Sequence, residues 1–268
     1  TTGPVTLDYG ENKKYTNSAI GGSGNGEITY SIIGDNKVAT IDSMTGEISI
    51  LKAGEVVVEA KKASDNKYLE TNATFTLIIK KTNQDELSFT TFPLNNEVKY
   101  MTTEQPNILK AMGGSGNGSI IYTVVSGTDV ASISSTGAVT TFKPGQFTVK
   151  AIKEGDDCYN QSQEIQITLT VVKGEQDDLL FEQTNPDSIT FNTNDNKFVN
   201  KANGGSGNGE ISYSVVSGSE YATVDSDGAV EFTKSGLIKV CATKAADDYY
   251  TEKKAYYEIT VNKAEQDF

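Results

Sequence analysis

The chain has 268 residues and a formal net charge of −13, and all 23 of its basic residues are lysine. An acidic surface without arginine is unsuited to nucleic acids, because phosphate neutralisation needs clustered Lys and Arg, and it is repelled by anionic membranes. Histidine is absent. Because histidine is the commonest general base, we expect no enzyme; we also expect no membrane insertion, since no run of 18 apolar residues is present.

Short β-rich runs separated by Gly, Asn, Asp and Ser follow one another along the chain. The first are EITYSII (27–33), VATID (38–42), EISIL (47–51), EVVVEAKKA (55–63) and TFTLIIKK (74–81). In the fourth run, Val56, Val58 and Ala60 form one face, which is apolar again at the corresponding positions of two later copies, whereas the residues between them vary. A period of two with one apolar face predicts strands that bury one side.

The series of runs repeats three times. The hexapeptide GGSGNG stands at 21–26, 113–118 and 204–209, and a tyrosine recurs every 91 residues at Tyr68, Tyr159 and Tyr250. This period is too long for a solenoid unit and suits a whole small domain. We therefore predict three tandem domains, residues 1–82, 83–174 and 175–268.

Seven strands are predicted in each domain. In the second they lie near 86–92, 107–112, 119–125, 130–134, 138–142, 146–153 and 164–173. Seven short antiparallel strands in about 90 residues are typical of an immunoglobulin-like sandwich. The predicted fold is therefore all-β, with three tandem seven-stranded immunoglobulin-like β-sandwich domains arranged end to end.

A family resemblance supports this fold. The stretch ATIDSMTGEISILKAGEVVVEAKKA, with its copies at 130–154 and 221–245, resembles the pattern A-x-V-D-x-x-G-x-V … K-x-G-x-x-x-V-x-A of the group 2 bacterial Ig-like domains. The resemblance implies a bead in the stalk of a bacterial surface protein, such as an adhesin, with no catalytic residues. GGSGNG lies outside that family pattern.

The connections between domains predict a stiff rod. Each repeat ends in an apolar strand followed by Gln-Asp, at 84–85, 176–177 and 266–267, and after the first two a new strand starts almost at once. No flexible or Pro-rich spacer intervenes. In an Ig sandwich GGSGNG lies at the pole where the chain enters, so we predict a joint surface there. Its residues are Gln84, Gln176, Gly113, Gly114, Ser115, Gly116, Asn117, Gly118, Gly204, Gly205, Ser206, Gly207, Asn208 and Gly209.

Acidic residues at the joints raise the possibility of calcium, which prefers six to eight oxygen ligands. The candidate ligands are Asp85, Glu86, Asp156, Asp157, Asp177, Asp178, Asp247 and Asp248. EF-hand spacing is absent, no cadherin-type linker motif is visible, and solvated turn acids are the commoner explanation of such residues. No other cofactor is predicted; GGSGNG lacks the Gly-Lys-Ser/Thr of a phosphate loop.

Two residue types leave alternatives open. Tyr68, Tyr159 and Tyr250 are predicted to pack and hold a loop, the alternative being a platform on which sugars stack. Cys158 and Cys241 are predicted to be free thiols, since they occupy non-corresponding positions of separate domains. Pairing of these cysteines between chains, and a Lys–Asn cross-link, stay open.

Together these features predict a structural stalk segment of a large extracellular or cell-surface bacterial repeat protein, of which this chain is a slice. Its partners are the neighbouring repeats, with host glycan or protein reached through domains outside this fragment. One alternative is a carbohydrate- or host-protein-binding Ig-like module, and another is a building block of a surface layer or filament.

Overall fold

The structure is a computed structural model, and it describes residues 3–10, 13–34, 37–91, 94–101, 108–184, 186–192 and 195–266. Within these ranges the secondary structure consists of β-strands and one short 3-10 turn, Leu94–Asn96. The predicted all-β class is confirmed. The predicted strand ends at positions 92 and 107, and residue 267 of the last Gln-Asp pair, lie outside the described ranges.

The strands are numbered in chain order. The first repeat holds β1 (Val5–Asp8), β2 (Lys14–Thr16), β3 (Ile28–Ile33), β4 (Ala39–Ile41), β5 (Glu47–Ile50), β6 (Gly54–Lys62) and β7 (Thr71–Lys80). The second holds β8 (Leu87–Thr91), β9 (Glu97–Lys99), β10 (Lys110–Gly113), β11 (Ile120–Ser126), β12 (Ala131–Ile133), β13 (Val139–Thr141), β14 (Gly145–Lys153) and β15 (Ile165–Val172). The third holds β16 (Leu179–Phe181), β17 (Ile189–Thr190), β18 (Lys197–Val199), β19 (Ala202–Gly204), β20 (Ile211–Ser217), β21 (Ala222–Val224), β22 (Ala229–Phe232), β23 (Gly236–Lys244) and β24 (Lys253–Asn262).

Each repeat is a sandwich of two sheets. In the second repeat one sheet has the order β11-β14-β15-β9, while β8 pairs with β10 and β12 with β13. A single bridge between Ile108 and Ala138 connects these two pairs into the opposite sheet. Numbered A to G from β8 to β15, these are the ABED and GFC sheets of an Ig constant-type domain. The prediction of tandem Ig-like sandwiches is confirmed.

The first strand of the sandwich differs from the prediction, because it is divided between the two sheets. Its first half, β8, runs antiparallel to β10, whereas its second half, β9, runs parallel to β15. The same parallel pairing joins β1 to β7 and β17 to β24. These segments have only two to four residues. An alternating pattern over so few residues cannot indicate which strand they pair with.

The three repeats have separate hydrophobic cores. One core draws its residues from 5–79, the next from 89–171 and the last from 179–261. Each set falls inside one predicted domain, although the exact boundaries at 82 and 174 stay a prediction. The predicted alternation is observed: Phe147 and Val149 on β14 are fully buried, as is Ile238 on β23. In the first repeat the series is incomplete, since Ala60 is only half-buried.

Candidate functional site

The linker between repeats pairs with a loop of the repeat that follows it. Thr82 forms a parallel bridge with Tyr159, in which the Thr82 N–H donates to the carbonyl of Cys158 at 3.2 Å and the Asn160 N–H donates to Thr82 at 2.8 Å. Gly174 forms the equivalent bridge with Tyr250 at the second joint. The loop concerned connects β14 to β15, or β23 to β24, and contains the predicted acidic pair. We call it the FG loop, residues 154–164 and 245–252. Backbone pairing fixes the path of each linker.

The glutamine of each Gln-Asp pair fastens the linker to the base of this loop. Gln84 Nε2 lies 2.8 Å from the carbonyl oxygens of both Glu154 and Asn160. Gln176 Nε2 repeats the arrangement, at 3.0 Å from Ala245 and 2.8 Å from Thr251. The Gln176 side chain is only 4% exposed. One glutamine side chain therefore satisfies two backbone carbonyls of the FG loop at each joint.

The first aspartate of the FG loop joins it to GGSGNG. In the second repeat, Asp156 Oδ1 accepts the N–H groups of Cys158 and Tyr159, and its Oδ2 accepts the N–H of Asn117 at 2.7 Å. Asp65 and Asp247 make the same three bonds in their repeats. These donors, led by Asn117, lower the pKa of the Asp156 carboxyl. The carboxylate acts as an acceptor for backbone N–H groups within one repeat.

The glycines of GGSGNG allow this close approach. Gly116 has φ +70°, and a Cβ there would lie 2.1 Å from Asp156 Oδ2 and 2.8 Å from the ring of Tyr159. Gly207 in the third repeat is in the same situation, with φ +70° and a Cβ position 2.0 Å from Asp247 Oδ2. Only glycine combines a left-handed backbone with this clearance.

The remaining predicted joint residues contact the linker. Ser115 Oγ donates to Asp85 Oδ2 at 2.7 Å, and Ser206 Oγ donates to Asp177 Oδ2 at 2.8 Å. A Cβ on Gly114 would lie 2.7 Å from the amide oxygen of Gln84. GGSGNG therefore supports the linker and the FG loop, and the direct contacts to the preceding repeat come from other residues. The role of GGSGNG as the joint surface itself stays a prediction.

Aromatic rings make one of those direct contacts. Tyr9 of the first repeat packs edge-on against Tyr159 at 5.6 Å between ring centroids. Tyr100 of the second repeat packs against Tyr250 at 5.6 Å and against Tyr249 at 5.1 Å. The recurring tyrosine thus packs across the joint and not only within its own loop. The alternative role, as a platform for sugars, applies chiefly to Tyr68, which is 49% exposed.

Lysines and backbone groups make the other direct contacts. At the first joint Lys52 Nζ lies 3.2 Å from Asp157 Oδ2, and the N–H of Ala53 donates to the Asp157 carbonyl at 3.1 Å. At the second joint Lys173 Nζ contacts the carbonyl of Asp247. The Lys52–Asp157 ion pair is exposed, and such a pair contributes only about 0–1 kcal/mol to stability.

The two thiols lie in different settings. Both cysteines are free, as predicted. Cys158 is half-buried at the first joint, and a hydrogen bond with its side chain, together with burial, raises the pKa of Tyr9 to about 12. Cys241 is 3% exposed, on the sheet face that sequence alternation assigns to solvent. Its cross-strand neighbours are Ser214 and Tyr256.

Most of the candidate calcium ligands contact other protein groups. Asp157 pairs with Lys52, and Asp178 Oδ1 lies 3.3 Å from Lys253 Nζ. Asp156 and Asp247 accept backbone N–H groups, Asp85 and Asp177 accept serine hydroxyls, and the carbonyl of Glu86 accepts the N–H of Gly114. Asp248 follows Asp247 on the exposed side of its loop. Among the described residues, no group of three or more His, Cys, Asp or Glu is placed to hold a metal ion.

Three joint residues were not predicted although their spacing marks them. Tyr9 and Tyr100 are 91 residues apart, and the next position in this series is Phe191. All three follow the short parallel strand and donate their N–H to the last strand of their repeat. Lys52 likewise belongs to a series of period 91 that continues at Lys143 and Lys234. The period was therefore a usable signal for the joint.

No family model matches the chain, and no curated protein matches it. Several solved structures of consecutive cadherin repeats are similar in outline. Drosophila N-cadherin EC1-3 is 16% identical over 98% of this chain and 99% of that chain, with a TM-score of 0.42. Mouse cadherin-23 EC22-24 is 18% identical over 97% and 96%, with a TM-score of 0.32. Because identities and TM-scores are this low, the fold assignment rests on the sheet topology described above. The described part of the chain has no helix long and apolar enough to cross a membrane.

Proposed function

We propose that this chain is a structural spacer, a stiff segment of an extracellular or cell-surface repeat protein of the bacterial Ig-like type. The observation that carries the proposal is the repetition of one joint. Thr82 and Gly174 pair with the following loop in the same way, Gln84 and Gln176 make equivalent bonds, and an aromatic contact accompanies both. A catalytic or single-ligand function does not require two joints of the same construction.

The mechanism of such a spacer is mechanical. Both joints combine backbone pairing with side-chain contacts, so the orientation of one repeat is passed to the next. Three repeats of strands that rise about 3.4 Å per residue extend over roughly 100 Å. The segment would hold a distal domain away from its anchoring point, and its net charge of −13 would keep neighbouring spacers apart in solution.

Calcium is not needed for this mechanism. Six of the eight candidate carboxylates already accept bonds from N–H groups, serine hydroxyls or lysine ammonium groups, so their oxygens are engaged within the protein. We therefore propose a joint held by protein contacts alone. We also propose that the chain is not an enzyme.

Small-angle X-ray scattering tests the proposal in solution. A monomeric, elongated particle whose largest dimension is about 100 Å, unchanged by calcium, is expected. A compact particle would contradict the spacer. Saturable binding to a glycan array through Tyr68 would instead favour the binding-module alternative, and concentration-dependent lateral assembly would favour the filament alternative.

A further inference from the structure

The two joints share the glutamine bonds and the backbone bridge, but they differ in how the preceding repeat supports the FG loop. At the first joint the turn between β5 and β6 lies against that loop. The N–H of Ala53 donates to the carbonyl of Asp157 at 3.1 Å, and Lys52 Nζ lies 3.2 Å from Asp157 Oδ2. In addition, Cys158 Sγ lies 3.8 Å from the carbonyl oxygen of Leu51. We call these three interactions the turn contact.

The corresponding turn of the second repeat cannot make all three interactions. Pro144 stands where the first repeat has Ala53, and proline has no N–H to donate. The turn lysine, Lys143, pairs with Asp129 of its own repeat at 2.6 Å. The first repeat has Lys37 at the position of Asp129, so its turn lysine meets no carboxylate there. Both differences favour the turn contact at the first joint and disfavour it at the second.

Aromatic packing takes the place of the turn contact at the second joint. Tyr249 is the counterpart of Cys158, and its ring packs against Tyr100 at 5.1 Å between centroids, beside the contact of Tyr100 with Tyr250. Tyr9 of the first repeat corresponds to Tyr100. It packs against one ring of the following FG loop and forms a hydrogen bond with the Cys158 side chain. The residue before the recurring tyrosine therefore differs in the same sense as the turn.

The linker also follows a different path at the two joints. Gly174 is buried, and a Cβ on it would lie 2.6 Å from the carbonyl oxygen of Tyr100. This close approach of two backbone segments requires glycine. The first joint has Thr82 at the equivalent position, and Thr82 forms the same bridge to its FG loop although it carries a side chain. At this point the second linker therefore lies closer to the preceding repeat than a linker with a side chain allows.

We propose that each joint combines the shared linker bonds with one of two alternative supports. Two positions of the repeat determine which support forms. Ala53 and Cys158 allow the turn contact, because an N–H is available and a small side chain leaves room for the turn. Pro144 and Tyr249 give aromatic packing, because that N–H is missing and the ring lies against Tyr100. Both pairs are positioning residues of the joint. Their effect on the direction of successive repeats rests on the spacer function proposed above, whereas the contacts themselves do not.

Thiol reactivity of the full chain tests the role of the turn. Ala53→Pro removes the N–H that is donated to the FG loop. The turn should accept proline, because Gly54 and Gly145, which follow this position in the two repeats, both have φ +149°. In native Ala53→Pro protein, Cys158 should react with a disulfide reagent such as DTNB about fivefold faster than in the wild type, as expected from the loss of one hydrogen bond.

Two references accompany this measurement. Cys241 is 3% exposed in the third repeat, so its slow reaction should be the same in the wild type and in the variant. Pro144→Ala is the matched control, because it changes the same position of the turn in the second repeat. It should leave the reaction rate of Cys158 as in the wild type, since that turn does not lie against the first joint.

Hydrogen exchange tests the FG-loop position. The Ala53 amide proton should be protected in the wild type, since its acceptor lies across the joint. Cys158→Tyr should accelerate exchange at Ala53 at least about fivefold, because the larger ring displaces the turn, whereas Cys158→Ala leaves the space open and should preserve the protection. Exchange at Leu77 and Phe147, which are fully buried in the first and second repeats, should stay slow in both variants. This reference separates a change of support from unfolding.

Equal Cys158 reaction rates in the wild type and in Ala53→Pro would overturn the proposal. An Ala53 amide that exchanges at the same rate in the wild type and in Cys158→Tyr would overturn it as well. If either variant fails to fold, the wild-type protection of Ala53 decides by itself, and an unprotected amide there would overturn the proposal. A compact particle in scattering would contradict the spacer function and would change neither of these local readouts.

Discussion

Removal of the buried linker glutamine should destabilise the third repeat measurably. Gln176→Ala deletes the amide whose Nε2 donates to the carbonyls of Ala245 and Thr251 at 3.0 and 2.8 Å. Each hydrogen bond contributes about 0.5–1.5 kcal/mol net, and the side chain is 4% exposed, so few waters can replace it at once. We expect a loss of about 2 kcal/mol in the free energy of unfolding.

The assay is calorimetry of the full chain combined with hydrogen exchange. For a domain of this size, 1 kcal/mol corresponds to roughly 4–8 °C, so the transition of the third repeat should fall by about 10 °C. Exchange should accelerate across residues 244–252, which identifies the repeat concerned. Gln84→Ala should move the transition of the second repeat in the same way.

Gln146→Ala is the matched control, since Gln146 is exposed on β14 and should change neither quantity. A Gln176→Ala protein that melts and exchanges like the wild type would refute the reasoning. The linker would then be held by its backbone pairing alone.

Three further predictions concern the joint loops. Backbone N–H donors lower the folded-state pKa of Asp156, so its contribution to the free energy of unfolding is present above the unfolded pKa of about 3.9 and is lost as pH falls through the lowered value. Asp156→Asn should therefore reduce the loss of stability at acid pH that denaturant titrations measure. An unchanged acid dependence would contradict this prediction. Gly207→Ala should cost more than about 1 kcal/mol in denaturant unfolding, because Gly207 has φ +70° and the new Cβ meets Asp247; a neutral effect would show that the loop relaxes. A chelator should leave every melting transition in place, whereas a fall on adding EDTA would identify a calcium joint.

Much of the fold could be predicted because the sequence gives the same information three times. Alternation of Val56 and Val58, repeated on β14 and β23, identified the central strands and their buried face. The pole that holds GGSGNG and the acidic loop followed from Ig topology. Strand β9 was missed, because three residues carry too little pattern to indicate a parallel partner.

The joint was harder to predict, because a repeating residue does not reveal what it contacts. The period identified Tyr159 as a repeated residue. It did not show whether the Tyr159 ring packs within its own loop or against Tyr9 of the preceding repeat. The period likewise marked the first aspartate of each acidic pair without showing what it contacts. In the structure this aspartate accepts three backbone N–H groups and so holds the FG loop against GGSGNG. The burial of Cys241 could not be predicted from alternation, which assigns its position to the solvent face, where Tyr256 is its cross-strand neighbour.

The two joints must be rigid for the chain to act as a spacer, and residual dipolar couplings measured on the full chain test their rigidity. If the joints are stiff, couplings from all three repeats fit one common alignment tensor with equal magnitude, and Tyr100→Ala disturbs the fit only at the second joint. Repeats that need separate tensors of different magnitude would mean independent reorientation, and the spacer would then be a flexible string and not a rod.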